Sequence, residues 1–313
     1  IPVVVQLWVN SSTVSDARVQ EQIDVINADY RRLNTDAANT PTAFQSIAAD
    51  CEIEFCLAGF DPAGNSTTGI VRKTVGGSPT GGDLWDPSLY LNLLVYNLGG
   101  GTLGFTYLPS SSPNQGVHIG YQYFGKTGAS APYNKGRTAT HEVGHWFNLE
   151  HIWGDDGGSC SGSDQVSDTP NQASESVGCP GFPLTDNCSN TSPGVMFMNY
   201  MDYSDDNCMN LFSAGQKSRM IAAINQYRPG LLNNGKCGTA TSLDAGVESI
   251  PSPSGSLCNS SYTPSVVIKN FGSTVITSCS IIYYADANPA DTFAWTGSLA
   301  TAEYGTALAP LYL

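Results

Sequence analysis

HEVGHWFNLEH, running from His141 to His151, holds three of the chain's four histidines. Residues four apart on a helix lie one turn above one another, so His141 and His145 share a face and offer two imidazole nitrogens to one tetrahedral zinc ion. Glu142, beside the first histidine, is close enough to hold a water on that metal without ligating it. For His151 to reach the same ion, the helix has to stop after His145. Asn148 stands where the break is needed, because asparagine tolerates a left-handed backbone. Three imidazoles with the fourth position left open describe a catalytic rather than a structural zinc.

HExxH alone is a weak signal, but HExxHxxNxxH adds a second spacing and a helix breaker between ligands. The longer motif resembles that of the metzincin clan of zinc peptidases, and Asn in place of the usual Gly points to the pappalysin family of ulilysin-like enzymes. The resemblance covers roughly residues 1 to 230. It implies an α/β (α+β) catalytic domain with a twisted, mostly parallel five-stranded sheet, a zinc-binding helix beneath it and a Met-turn. It also implies a zymogen whose own propeptide is its inhibitor.

The rest of the composition is compatible with that class. The 313 residues allow one large or two ordinary domains, and 41% hydrophobic residues can fill a core. No run approaches the length of a membrane span. A formal net charge of −14 excludes nucleic acid and anionic membranes as natural partners and favours cations, whether calcium or substrates carrying Lys or Arg. Only 13% of residues are charged and nine are cysteines, which reads as a secreted, disulfide-bearing protein. The chain opens at Ile1, as expected of a mature, monomeric form whose signal peptide and propeptide have been removed.

Before the motif, the β-branched run Ile1 to Val9 predicts a buried strand. A helix capped by Ser15 and Asp16 is expected through about Leu33, with Val19, Ile23, Ile26, Tyr30 and Leu33 on one stripe. Strands are expected over Glu52 to Ala58, Gly69 to Val75 and Leu91 to Tyr96, the last central. A helix between the first two strands implies a parallel crossover, and one later short strand is expected to run antiparallel at an edge. Thr102 to Leu108 and Gly116 to Tyr121 both qualify as that edge, where a peptide substrate would add as an extra strand. The zinc helix is predicted over about Thr138 to Asn148.

After His151, residues 152 to 200 show no periodicity, and so long an irregular segment needs ties. Cys160, Cys179, Cys188 and Cys208 allow three pairings; the family resemblance implies Cys160–Cys188 and Cys179–Cys208. Asp164, Asp168 and Thr169 offer hard oxygen ligands suited to a structural calcium ion, and pappalysins carry calcium in this region. The competing reading is an acidic turn without an ion.

NYMDY, residues 199 to 203, resembles the Met-turn, with Met201 as an apolar floor under the imidazoles. The resemblance places Tyr203 near the metal, as a zinc ligand at rest or an oxyanion donor, against the plainer reading of a packed core ring. It likewise places an acidic residue at Asp206, at the base of the pocket that selects Arg (or Lys) after the scissile bond. A buried carboxylate there would bind guanidinium bidentately; Asp205 competes for the role. A helix capped by Ser213 runs through about Tyr227, with Met220, Ile221 and Ile224 inward, and closes a catalytic domain of residues 1–235.

Residues 236–313 read as a small β-sandwich-like accessory region, short of the about 100 residues of an immunoglobulin-type sandwich. Cys237, Cys258 and Cys279 lie there, and Cys51 and Cys56 lie early in the chain. With nine cysteines at least one is free or paired outside this chain, and a direct Cys51–Cys56 bridge needs a bend. The function expected is endopeptidase cleavage by a zinc-bound water activated by Glu142. A zinc hydrolase of another bond is one alternative. The other is a secreted adhesion or binding protein with a structural metal and a β-rich binding tail.

Overall fold

The computed structural model describes residues 1–110, 115–232, 234–238, 244–252, 263–270, 272, 274–283, 291–300 and 303–308. The chain divides into two compact units, Ile1–Ala58 with Gly69–Cys237, and Gly59–Thr68 with Gly238–Leu313.

The first unit is built on β1 (Pro2–Leu7), whose six residues are all buried. Its valines suit a strand covered on both faces. β1 pairs in parallel with β4 (Leu91–Tyr96) on one side. On the other side β2 (Cys56–Leu57) takes Pro2 and Val3, while β3 (Ile70–Arg72) takes Val5 to Leu7. Six strands therefore make a sheet five positions wide. β6 (Val117–Gly120) continues the parallel run beside β4, and β5 (Gly104–Phe105) pairs antiparallel to β6 as the outermost strand. Of the two candidate edges, Thr102 to Leu108 contains the edge strand, and Gly116 to Tyr121 lies one position inside it.

The strand expected over Glu52 to Ala58 is reduced to Cys56–Leu57. Glu52 adopts φ 58°, and the Asn27 side chain binds both the N–H and the C=O of Phe55. α1 (Asp16–Tyr30) starts as expected, with Ser15 Oγ accepting from Arg18 N–H. It ends before Leu33, which is 73% exposed rather than on the apolar stripe, because the chain turns left-handed at Arg32 (φ 50°). α2 is a single turn (Thr42–Gln45), α3 is the histidine helix (Arg137–Trp146) and α4 (Ala214–Tyr227) follows a Ser213/Gln216 capping box. Val3, Val5 and Leu7 of β1 meet Val19, Ile23 and Ile26 of α1 and Val143 and Trp146 of α3 in one core. Each such side chain contributes about 1.5–3 kcal/mol by leaving water.

No helix or strand occurs between α3 and α4. Bridges Cys160–Cys188 and Cys179–Cys208 tie that segment, and Cys56–Cys237 joins β2 to the end of the unit. Among the described residues Cys51 and Cys279 are free, and Cys258 lies outside them.

In the second unit, β7 (Ala245–Ser252), β8 (Ser265–Asn270) and β11 (Tyr304–Leu308) form an antiparallel sheet in the order β11-β8-β7, while β9 (Ile276–Tyr283) pairs with β10 (Asp291–Leu299). Val266, Ile268, Ile276, Ile281, Leu299 and Ala307 form its own core. Among the described residues no helix is long and apolar enough to cross a membrane.

Candidate active site

α3 presents His141 and His145 one turn apart and ends at Trp146. At Asn148 the chain is left-handed (φ 73°), as the sequence required, and it returns with His151. Each ring is oriented through Nδ1. His141 Nδ1 donates to the Tyr200 carbonyl and His145 Nδ1 to the Leu149 carbonyl, both at 2.7 Å. His151 Nδ1 lies 3.0 and 2.9 Å from the Asp155 oxygens. A carbonyl or carboxylate can only accept, so each neutral ring keeps its proton on Nδ1 and carries a lone pair on Nε2.

Those lone pairs converge. His145 Nε2 stands 3.0 Å from His141 Nε2 and 3.1 Å from His151 Nε2. Three facing lone pairs call for a cation. Nitrogens on a tetrahedral zinc at about 2.0–2.1 Å would be about 3.4 Å apart, so the cluster fits zinc after opening by a few tenths of an ångström. Burial is the main cause that lowers all three imidazole pKa values, His145 to about 4, which keeps the rings neutral and ready for metal. Among the described residues this is the group of three His, Cys, Asp or Glu side chains whose ligand atoms lie within 4.8 Å of one another.

Glu142 is 7% exposed, and burial pushes its carboxyl up to about 8. Met201 is fully buried in the same core as α3, its N–H held by Asn199 Oδ1. Tyr203 is not a core ring: it is 45% exposed, 4.9 Å from the His151 ring and 5.5 Å from that of His141. Burial, and then the charge of Glu142, raise its phenol to about 12, so it remains a proton donor at neutral pH.

Beside Glu142 and His141 opens a cavity of about 310 Å³, lined also by Thr102, Leu103 and Gly104 of the edge segment and by Tyr133, Thr138, Ser204 and Asp206. Asp206 is 2% exposed, and burial raises it to about 6. Its Oδ2 accepts the N–H groups of Lys135 and Arg137, at 2.7 and 3.4 Å. The nearby Arg137 guanidinium is taken by Asp36 through two bonds, at 2.7 and 2.8 Å, and by the Asp206 carbonyl. Asp205 does not line the cavity.

The acidic segment behaves differently from the histidines. Thr169 Oγ1 donates to Asp164 at 2.7 Å, but the Asp168 carboxylate turns away to accept Ser213 Oγ and Gly215 N–H at the start of α4. Two partners of the site went unread in the sequence: Asp155, four residues after His151, and Trp153, stacked on the His151 ring at 4.2 Å. The i, i+4 spacing of His151 and Asp155 was the available signal.

A mostly parallel sheet with an antiparallel edge, a three-histidine centre broken at Asn148 and a buried methionine packed against Gly144 of the histidine helix define a metzincin zinc metalloendopeptidase. Residues 79–225 match the model of Peptidase_M43, described as Pregnancy-associated plasma protein-A. The chain is 37% identical over 228 residues to an extracellular metalloprotease of Pyricularia oryzae, covering 69% of this chain and 70% of that one. Mature mirolysin of Tannerella forsythia, solved with a cleaved peptide, superposes with a TM-score of 0.72 at 48% identity, over 76% of this chain and 97% of that one. A promirolysin mutant from the same organism gives 0.70 at 48% identity, over 74% and 83%. The chain belongs to the pappalysin (M43) family, and the adhesion reading with a structural metal is set aside.

Proposed function

We propose that this is a secreted endopeptidase that cuts on the N-terminal side of Arg or Lys, with Glu142 as the general base. The observation that carries the specificity is the cavity beside Glu142. Asp206 is buried there, the Arg137 guanidinium that also lines the cavity forms its ion pairs with Asp29 and Asp36, and the buried hydroxyls of Thr138 and Ser204 have no hydrogen-bond partner. A guanidinium would supply donors to these acceptors and pair with the carboxylate.

Zinc held by His141, His145 and His151 would polarise the scissile carbonyl, lower the pKa of its water from about 15.7 towards 7 and favour ionised Glu142. Glu142 takes a proton from the attacking water and returns one to the leaving amine. Tyr203, protonated and half exposed beside the imidazoles, donates to the developing oxyanion. β5 offers its free edge to the peptide backbone, which aligns the substrate whatever its side chains.

Secretion is supported by the extracellular metalloprotease relative, and a latent precursor by the likeness to promirolysin. A structural calcium on the 164–169 segment would neutralise Asp164, which is 4% exposed. Glu142→Ala should retain one zinc and lose turnover by orders of magnitude; undiminished cleavage by that variant removes Glu142 as the base.

A further inference from the structure

The backbone of α3 carries His141 and His145. His151 depends instead on the turn from Asn148 to His151, which lies outside any helix or strand. Within that turn, Leu149 N–H donates to Gly144 C=O at 2.9 Å, and its carbonyl accepts from His145 Nδ1. From outside, α4 contributes Arg219. Its Nε donates to the Asn148 carbonyl at 2.6 Å and its Nη2 to Glu150 Oε1 at 2.7 Å. The two side chains are 21% and 31% exposed, so the pair is largely shielded from water.

One rigid guanidinium fork thus grips the backbone on one side of Leu149 and a side chain on the other. The gripped carbonyl belongs to the left-handed residue just past α3, where the negative end of the helix dipole also favours a cation. Lys217 pairs with Glu52, while Arg228 binds the carbonyl of Trp146 at the end of α3 and Gln115.

We propose that Arg219 is a positioning residue for the third metal ligand: by clamping Asn148 and Glu150 it sets where His151 stands and how tightly the centre holds zinc. This rests on the three-histidine zinc centre assigned above. Arg219 acts through Glu150 and the Asn148 carbonyl and does not line the cavity beside Glu142.

The test compares the full chain with Arg219→Ala, Arg219→Lys, Glu150→Ala and Glu150→Gln. Zinc affinity is read by competition with a chelating dye, and ligand geometry by the visible spectrum of the cobalt-substituted protein. Removing a group that orients a metal ligand typically costs about 10–100-fold in affinity, and Arg219→Ala should fall in that range with an altered cobalt spectrum and a lower kcat at unchanged KM. Arg219→Lys should recover part of the loss, since an ammonium reaches one of the two acceptors. Glu150→Gln should keep the parent affinity, because an amide oxygen still accepts, whereas Glu150→Ala should not. If Arg219→Ala does not fold, the Glu150 pair decides alone. Parent-like zinc affinity and cobalt spectrum in Arg219→Ala and Glu150→Ala, with only the melting temperature lowered, would overturn the proposal. A parent chain that binds no zinc would sink the proposed function and the clamp together.

Discussion

Gly144 and Met201 meet so closely that a Cβ on Gly144 would stand 2.5 Å from the Met201 sulfur. The glycine between the two helix histidines is therefore what lets Met201 and its turn pack against α3. Inside a helix, replacing Gly by Ala ordinarily stabilises by about 1 kcal/mol. At this position overpacking should reverse the sign. Gly144→Ala is expected to destabilise the protein by about 1–3 kcal/mol in denaturant titrations and to lower its zinc content.

Gly104 plays a similar part at the edge strand. A Cβ there would lie 2.9 Å from Glu142 Cγ and 3.0 Å from Thr138 Cγ2. Gly104→Ala must displace either the Glu142 carboxylate or β5, the strand proposed to receive the peptide. Zinc content should stay at the parent level while kcat/KM falls by about tenfold or more, since small misplacements of reacting groups are costly. Parent-like kinetics would show that β5 and Glu142 are not held in this register.

Asp206→Asn should remove the proposed preference for Arg after the cut. A hydrogen bond to a charged group is worth about 1.5–3 kcal/mol, or roughly 10–150-fold. The loss should fall on peptides with Arg or Lys at that position and spare those with Leu. Assays on paired peptides differing only there decide it, and equal losses on both would remove Asp206 from substrate selection.

Asp202 sets a pH dependence of stability. It is fully buried, and burial raises its carboxyl to about 6 although Gln172, Ser176 and Tyr203 donate to it. The unfolded value is about 3.9. The folded state therefore holds this proton more tightly, so the contribution is fully present below about pH 4 and is lost as pH rises through about 6. A two-unit shift corresponds to about 3 kcal/mol. Unfolding free energy measured from pH 4 to 7 should decline less steeply in Asp202→Asn than in the parent.

The histidine centre was legible because its information is local. Spacing of four residues selects one helix face, and an asparagine three beyond His145 supplies the break, whatever surrounds them. α1, β1 and β4 were legible for the same reason, since each carries its own periodicity or β-branched run. Their ends were not. Leu33 fits the apolar stripe of α1, yet the left-handed turn at Arg32 puts it in solvent, and Glu52 to Phe55 alternates like a strand but finds Asn27 instead of a partner strand.

Residue order along the chain was thus enough to define the metal-binding set, the zinc helix and the class of enzyme. Tertiary contacts decided which segment is the sheet edge, that Asp206 rather than Asp205 lines the cavity, that Cys56 reaches Cys237, and that Arg219 grips the turn bearing His151. Each of these joins groups tens to hundreds of residues apart. Such pairings follow from how the sheet and core bring distant segments together, and short-range spacing carries no record of that.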